Sequence, residues 1–239
     1  MKNLRDIAIE ELVIANRILG HEGILDAYGH ISVRNPDNPS QYLLSRARSP
    51  EVIEAGDICN YSHDGTPADS SDSIPYIERY IHGAIYEVRP DITAICHNHT
   101  LSILPFGISK NVALKAVIHT ARFLGTSAPV WDIAEEFGSD TDLLVRNMAQ
   151  GRSLARSMGK GSIALMRGHG SVVASNDMAS LVTMCIGMDR NAKVQREAMM
   201  FGEYRSLEEG EISASAIPAQ KGRGDNRAWE YFQRRAGII

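Results

Sequence analysis

Apolar residues follow two alternating spacings along the chain. Leu4, Ile7, Ala8, Leu12, Ala15 and Leu19 recur every three or four positions, the period of one helix face, and Gly20 stands where such a helix would end. "AYGHISVRNP" then switches to alternation from His30 to Arg34, a strand entered through a glycine turn. "QYLLSRARSPEVIEAGDICNY" predicts a second strand, a basic loop and a short helix or turn, and residues 62–73 read as a polar loop or hairpin tip. Pro75 is placed to open a helix, "PYIERYIHGAIYEV", turning Ile77, Ile81, Ala84, Ile85 and Val88 to the core. Arg89-Pro90 closes that helix, and "DITAICHNHT" follows as a strand.

Further on, residues 126–139 read as a loop carrying "PVWD", and a helix is expected from about Asp140 to Met158. "SIALMRGHGSVVAS" reads as strand, glycine turn, strand. A long helix over roughly 176–203, a looser acidic stretch and a short helix in "NRAWEYFQRRAG" complete the chain. There is no internal repeat, low-complexity tract or linker. The pattern predicts one α/β domain over residues 1–239, with helices packed on a sheet.

Charge and cysteine content narrow the function classes. Lys plus Arg is 25 and Asp plus Glu is 29, a net charge of −4 with no basic block, which argues against nucleic acid or an anionic membrane as partner. The amphipathic N-terminus carries acidic residues where a signal peptide would be uncharged, and no apolar run approaches the ~18 residues that span a bilayer. Cys59, Cys96 and Cys185, odd in number and far apart, suit reduced thiols, so a cytoplasmic location is expected.

The candidate chemistry begins in "HNHT". Alternate residues of a strand share a face, so His97 and His99 project together at the strand's C-terminal end. Two imidazoles also suit a plain polar strand edge; a third changes the balance. His169, in "RGHGS", sits between glycines at a strand-to-strand turn where the backbone can approach closely. Three histidines with an open position are the pattern of a catalytic metal site for Zn²⁺, Mn²⁺ or a similar ion. Glu78, on the helix feeding the His97 strand, is either a metal-side carboxylate that moves a proton or an ordinary solvated glutamate. His82, one turn later, reads as a packing or supporting residue.

These residues together carry a resemblance. "RPDITAICHNHT" followed by "LMRGHGSVVAS" resembles the class II aldolase/adducin family from "GHISVR" through the helix after His169. The resemblance implies an α/β/α fold with a mainly antiparallel central sheet, a cyclic homotetramer with active sites at subunit interfaces, His97, His99 and His169 as ligands of one divalent metal ion, and Glu78 as catalytic acid/base. Sugar-phosphate aldolases of the family cradle phosphate with small residues, where this chain has Gly29-His30, Ser45-Arg46 and Tyr76-Ile77. A phosphate cradle needs hydroxyls and free N–H groups, so the expected substrate lacks phosphate. A carboxylate in its place would be held by Arg46, with Ser45 and His30 on the same wall; Arg48 is equally well read as a solvated loop arginine.

In "AVIHTARFLG" the aldolases' proton-donating tyrosine is replaced by Thr120, leaving His119 for proton transfer or for a structural hydrogen bond. "GHISVR", "LLSRARSPE", "VIHTARFLG" and "PVWD" are similar to the family's decarboxylases of hydroxylated aromatic dicarboxylates. The expected function is therefore a metal-dependent decarboxylase of a small-molecule carboxylate. The alternatives are an aldolase acting on an unphosphorylated hydroxy-keto acid and a non-catalytic adducin-like interaction module.

Overall fold

A computed structural model of the protein describes residues 2–69, 73–214 and 223–239. In chain order the elements are α1 (Leu4–His21), β1 (His30–Arg34), β2 (Gln41–Ser45), β3 (Ile58–Ser62), α2 (Arg79–Val88), β4 (Ala94–Asn98), α3 (Leu104–Ile108), β5 (Val130–Trp131), α4 (Ile133–Phe137), α5 (Met148–Met158), β6 (Ile163–Met166), β7 (Gly170–Ser175), α6 (Met178–Met200), α7 (Glu209–Ala214) and α8 (Arg223–Arg235). The sheet order is β3-β2-β1-β4-β7-β6-β5, antiparallel throughout except where β5 runs parallel to β6. The mainly antiparallel sheet expected from the sequence is thus present, with one parallel pair at its edge.

Helices cover both faces, which is why β4 and β7 are buried at every position and read as unbroken runs rather than alternations. Successive residues feed opposite cores: Ala94 and Cys96 of β4 pack on the side of α1, α6 and α8, and Ile95 packs on the side of α2 and α5. Side-chain caps start the helices where the pattern places them. Asn3 accepts from Asp6 N–H at 2.8 Å to start α1, and Asp177 accepts from Ser180 N–H at 2.8 Å to start α6.

Several local expectations are corrected. Pro75 does not open a helix: α2 begins at Arg79, because Ala47 N–H pins the Ile74 carbonyl at 2.8 Å and the Arg79 guanidinium holds the Tyr76 carbonyl at 3.0 Å. Ile77 and Val88, expected in the core, are about half exposed. The helix expected from Asp140 begins at Met148, capped by Asn147, and residues 138–147 cross the site as a loop. The stretch 126–139, expected as loop, contains β5 and α4, and the basic loop after β2 leads on to β3. Residues 70–72 of the expected polar loop lie outside the described residues, as do residues 215–222 of the acidic stretch.

Candidate metal centre

Strand register gathers the site at one end of the central sheet. His30 of β1 lies opposite His97 of β4, and Asn98 lies opposite Ser171 of β7, which brings the β6–β7 turn beside His99. Gly168 takes φ +66° in that turn, and a Cβ on Gly170 would fall 2.3 Å from the Asn98 carbonyl oxygen. Only glycine allows this approach, and it carries His169 to the other two histidines. Glu78 arrives from the opposite side, at the N-cap of α2. One ligand atom from each of Glu78, His97, His99 and His169 lies within 4.8 Å of the others.

The outer hydrogen bonds of the three rings decide what the centre can bind. His97 Nδ1 faces the Ser171 carbonyl at 3.2 Å, His169 Nδ1 faces the Leu143 carbonyl at 3.0 Å, and His99 Nδ1 lies 3.0 and 3.1 Å from the Asp26 carboxylate oxygens. All of these partners only accept, so each Nδ1 carries the proton and each Nε2 turns a lone pair inward. His97 and His99 Nε2 are 3.0 Å apart, and Glu78 Oε2 lies 3.3 Å from His97 Nε2 and 3.4 Å from His169 Nε2. The other Glu78 oxygen accepts from Val145 N–H at 2.9 Å. Four acceptors converging with no donor among them repel one another unless a cation sits at their focus. Three imidazoles and a carboxylate therefore fit a divalent metal such as Zn²⁺ or Mn²⁺.

The electrostatics agree. Burial alone would raise the Glu78 carboxyl, but His97 and His169 hold it well below the usual carboxylate range. Burial depresses His169, yet the Glu78 carboxylate prevails and raises it, as a negative charge beside an imidazole should. Burial and the neighbouring His97 lower His99 despite the pull of Asp26. Burial would raise Asp26 too, but the N–H groups of Tyr28 and Gly29 and the His99 ring keep it low.

The centre opens into a cavity of about 720 Å³ whose walls include Tyr28, Ile74, Pro75, Tyr76, Ile77, Leu143 and Leu144, with Arg48, His30, Glu78, His99 and His169 as its functional side chains. Tyr76 and His30 pack against each other on the cavity wall, their rings 4.6 Å apart. His30 is 2% exposed and contacts His82 through Nδ1···Nε2 at 2.6 Å; burial keeps His30 well below its ordinary value and brings His82 down to about 3.

The expected substrate-side residues divide. Arg48 lines the cavity; Arg46 does not, and faces a separate shallow surface pocket with Ala47, Ser73 and Ile74. Both guanidiniums are tied to Asp57, from Arg46 Nε at 2.7 Å and from an Arg48 terminal nitrogen at 2.5 Å. Ser45 is buried at the end of β2, behind the wall. His119 is exposed on a 3-10 turn, His119–Leu124, packed against α6, and lines no part of this chain's own cavity.

Sequence reading missed the supports. Asp26 was detectable, since an aspartate two and three residues before Tyr28 and Gly29 is the signature of a side-chain turn. Leu143 gave no signal: among the described residues it is the one non-glycine with positive φ, +68°, and that conformation aims its carbonyl at His169.

Residues 10–196 match the family model described as Class II Aldolase and Adducin N-terminal domain. The chain belongs to that family. Among curated proteins it is 35% identical over 205 residues to the decarboxylase tropJ of Talaromyces stipitatus, covering 81% of this chain and 77% of that one. It is 28% identical over 211 residues to a 3,4-dihydroxyphthalate decarboxylase of Arthrobacter keyseri, covering 82% and 80%. Its fold is similar to that of an L-fuculose 1-phosphate aldolase from Glaciozyma antarctica (TM-score 0.77, 20% identity, 98% of this chain and 91% of that one). An aldolase II superfamily protein from Pseudomonas syringae is also similar in fold (TM-score 0.80, 19% identity, 99% and 94%).

Proposed function

We propose that this protein is a divalent-metal-dependent decarboxylase of a hydroxylated aromatic or heteroaromatic dicarboxylate. The observation that carries this reading is the inward-facing set of Glu78, His97, His99 and His169 at the floor of a largely apolar cavity with a guanidinium on its wall. The curated relatives whose names state decarboxylase activity, one of them on dihydroxyphthalate, support the same reaction class.

His97, His99 and His169 would hold the metal; its chemistry when bound is Lewis-acid stabilisation of negative charge on the substrate's oxygens. The chain's own groups do the rest. Tyr76, Ile77, Leu143 and Leu144 sandwich a flat ring and exclude water. Arg48, rather than the Arg46 suggested by sequence, binds the carboxylate that is kept, while Asp57 and Arg46 hold the Arg48 side chain in place. Glu78 rests as a carboxylate, takes the proton of the ring hydroxyl and delivers it to the ring carbon bearing the departing carboxylate. The bond to that carboxylate then breaks, its electron pair restores the aromatic ring, CO₂ leaves, and the phenolate regains a proton from water. His119 lines no part of its own cavity, so a part in proton transfer would require a neighbouring copy in a homotetramer, and a structural hydrogen bond is the other role open to it.

The test is a screen of hydroxylated benzene and pyridine dicarboxylates after chelator treatment, with Zn²⁺ or Mn²⁺ restored, following CO₂ and aldehyde release. Metal-restored CO₂ release supports the proposal. Aldehyde release from hydroxy-keto acids would move the reading to an aldolase, and no turnover with no bound metal would favour an interaction module.

A further inference from the structure

A second constellation runs from the cavity wall into the core, and nothing in the proposed reaction uses it. His30 Nδ1 meets His82 Nε2 at 2.6 Å, His82 Nδ1 meets Ser32 Oγ at 2.6 Å, Ser32 Oγ meets Tyr86 Oη at 3.0 Å, and Tyr86 Oη donates to the Thr93 carbonyl at 3.2 Å. All four side chains are buried, and the Arg34 guanidinium covers the Tyr86 ring 4.6 Å from its centre.

The far end of this chain dictates the near end. The Tyr86 hydroxyl donates its single proton to the Thr93 carbonyl, which also accepts from Arg34 N–H at 2.7 Å. Ser32 must then give its own proton to Tyr86 and accept one from His82 Nδ1. That leaves His82 Nε2 as a lone pair, so the proton in the 2.6 Å contact belongs to His30 Nδ1. His30 is left with an unprotonated Nε2. The ring lines the cavity, and among the described residues the buried side-chain nitrogen or oxygen without a partner is Asn16 Oδ1, so His30 Nε2 is open to the cavity rather than sealed in protein.

We infer that His30 is locked by the His82–Ser32–Tyr86–Thr93 chain as a hydrogen-bond acceptor toward the cavity, and that it selects ligands presenting a hydroxyl donor on a ring carboxylate. The inference rests on the reading above only in taking a ring acid as the cavity's occupant. A carboxylate or an ether oxygen at this place would meet lone pair with lone pair. Ser32, Tyr86 and His82 are positioning residues: they touch no ligand and act by fixing which His30 nitrogen carries the proton.

Nitrogen-15 NMR of histidine-labelled, zinc-loaded protein reads the lock directly, with His30→Gln used only to assign the signals. The expected pattern is a single His30 tautomer, Nδ1 at the protonated position and Nε2 at the unprotonated one. Added 3-hydroxyphthalate or 4-hydroxyphthalate should move Nε2 part-way toward the protonated position, and phthalate, which has no hydroxyl, should leave it in place. Tyr86→Phe keeps the ring under Arg34 and should replace the single pattern by a mixture of tautomers. A protonated Nε2 in the native protein, an equal response to phthalate and both hydroxyphthalates, or an unchanged pattern in a folded Tyr86→Phe protein would each overturn the inference. None of these outcomes depends on CO₂ release, so failure here and failure of the decarboxylase reading are separable.

Discussion

The two faces of the sheet carry different chemistry. Under α1, α6 and α8 the hydrophobic cluster is mainly aliphatic, with Leu12, Ile18, Leu19, Leu43, Leu165, Val173 and Leu181 buried together, and the buried Asn191 and Gln195 of α6 serve there to hold the backbone of residues 113–117. Under α2 and α5 the buried set includes Tyr42, Tyr61, Tyr76, Tyr86 and Trp131, and the same side holds His82, His97 and Glu78. The aliphatic face contributes stability through area removed from water. The other face spends part of its volume on polar groups that must be paired; among the described residues the buried side-chain atom without a partner, Asn16 Oδ1, lies on α1, on the aliphatic side. The division teaches that one face can be built for cohesion while the other holds acceptors at fixed distances.

Four substitutions sharpen or break this contrast. Glu78→Gln, on the polar face, keeps the shape but removes the proton carrier. Decarboxylation kcat should fall by about 10²- to 10⁴-fold with the fold intact, as circular dichroism would check. Leu181→Ala, on the aliphatic face, should do the reverse, costing about 2–5 kcal/mol of unfolding free energy in a denaturant titration while leaving kcat per folded molecule unchanged. If Leu181→Ala lowered kcat as much as stability, the two faces would not be separable.

A smaller effect is expected from Asp26→Asn, which takes the carboxylate from His99 Nδ1. Metal affinity by competition with a chelator should weaken by about 10- to 100-fold. Smallest is the acid-side effect of Asp57→Asn. Burial would raise Asp57, but the Glu54 N–H and the Arg48 and Arg46 guanidiniums hold its folded carboxyl below the ordinary value. A depressed folded value stabilises above the unfolded one, so the native protein's advantage should be complete above about pH 4. It should fade as pH falls through the lower folded value, and denaturant midpoints against pH would show the two proteins converging in acid.

Legibility followed the range of the interactions. β1 and the β6–β7 hairpin were readable because alternation and the glycines around His169 are local signals. The start of α2 was misread because Pro75 is an equally good opener for a helix and for the extended segment that lines the cavity. Asp140 to Asn147 resembled a helix start because its aspartates suit a first helical turn. That the segment instead supplies Leu143 and Val145 to His169 and Glu78 is written in no local pattern. Arg46 and Arg48 are one residue apart, and only the turn of the loop around Asp57 puts Arg48 on the cavity wall.

The amino-acid order by itself determined most of the elements, the α/β class and the three histidines as candidates, because side-chain period and glycine placement act over a few residues. Tertiary structure alone decided which nitrogen of each ring faces the centre, which arginine reaches the cavity and how His30 is oriented. Those outcomes depend on carbonyls and hydroxyls from strands and loops far away in sequence, and a proton's position is set by the acceptor it meets, not by the residue that carries it.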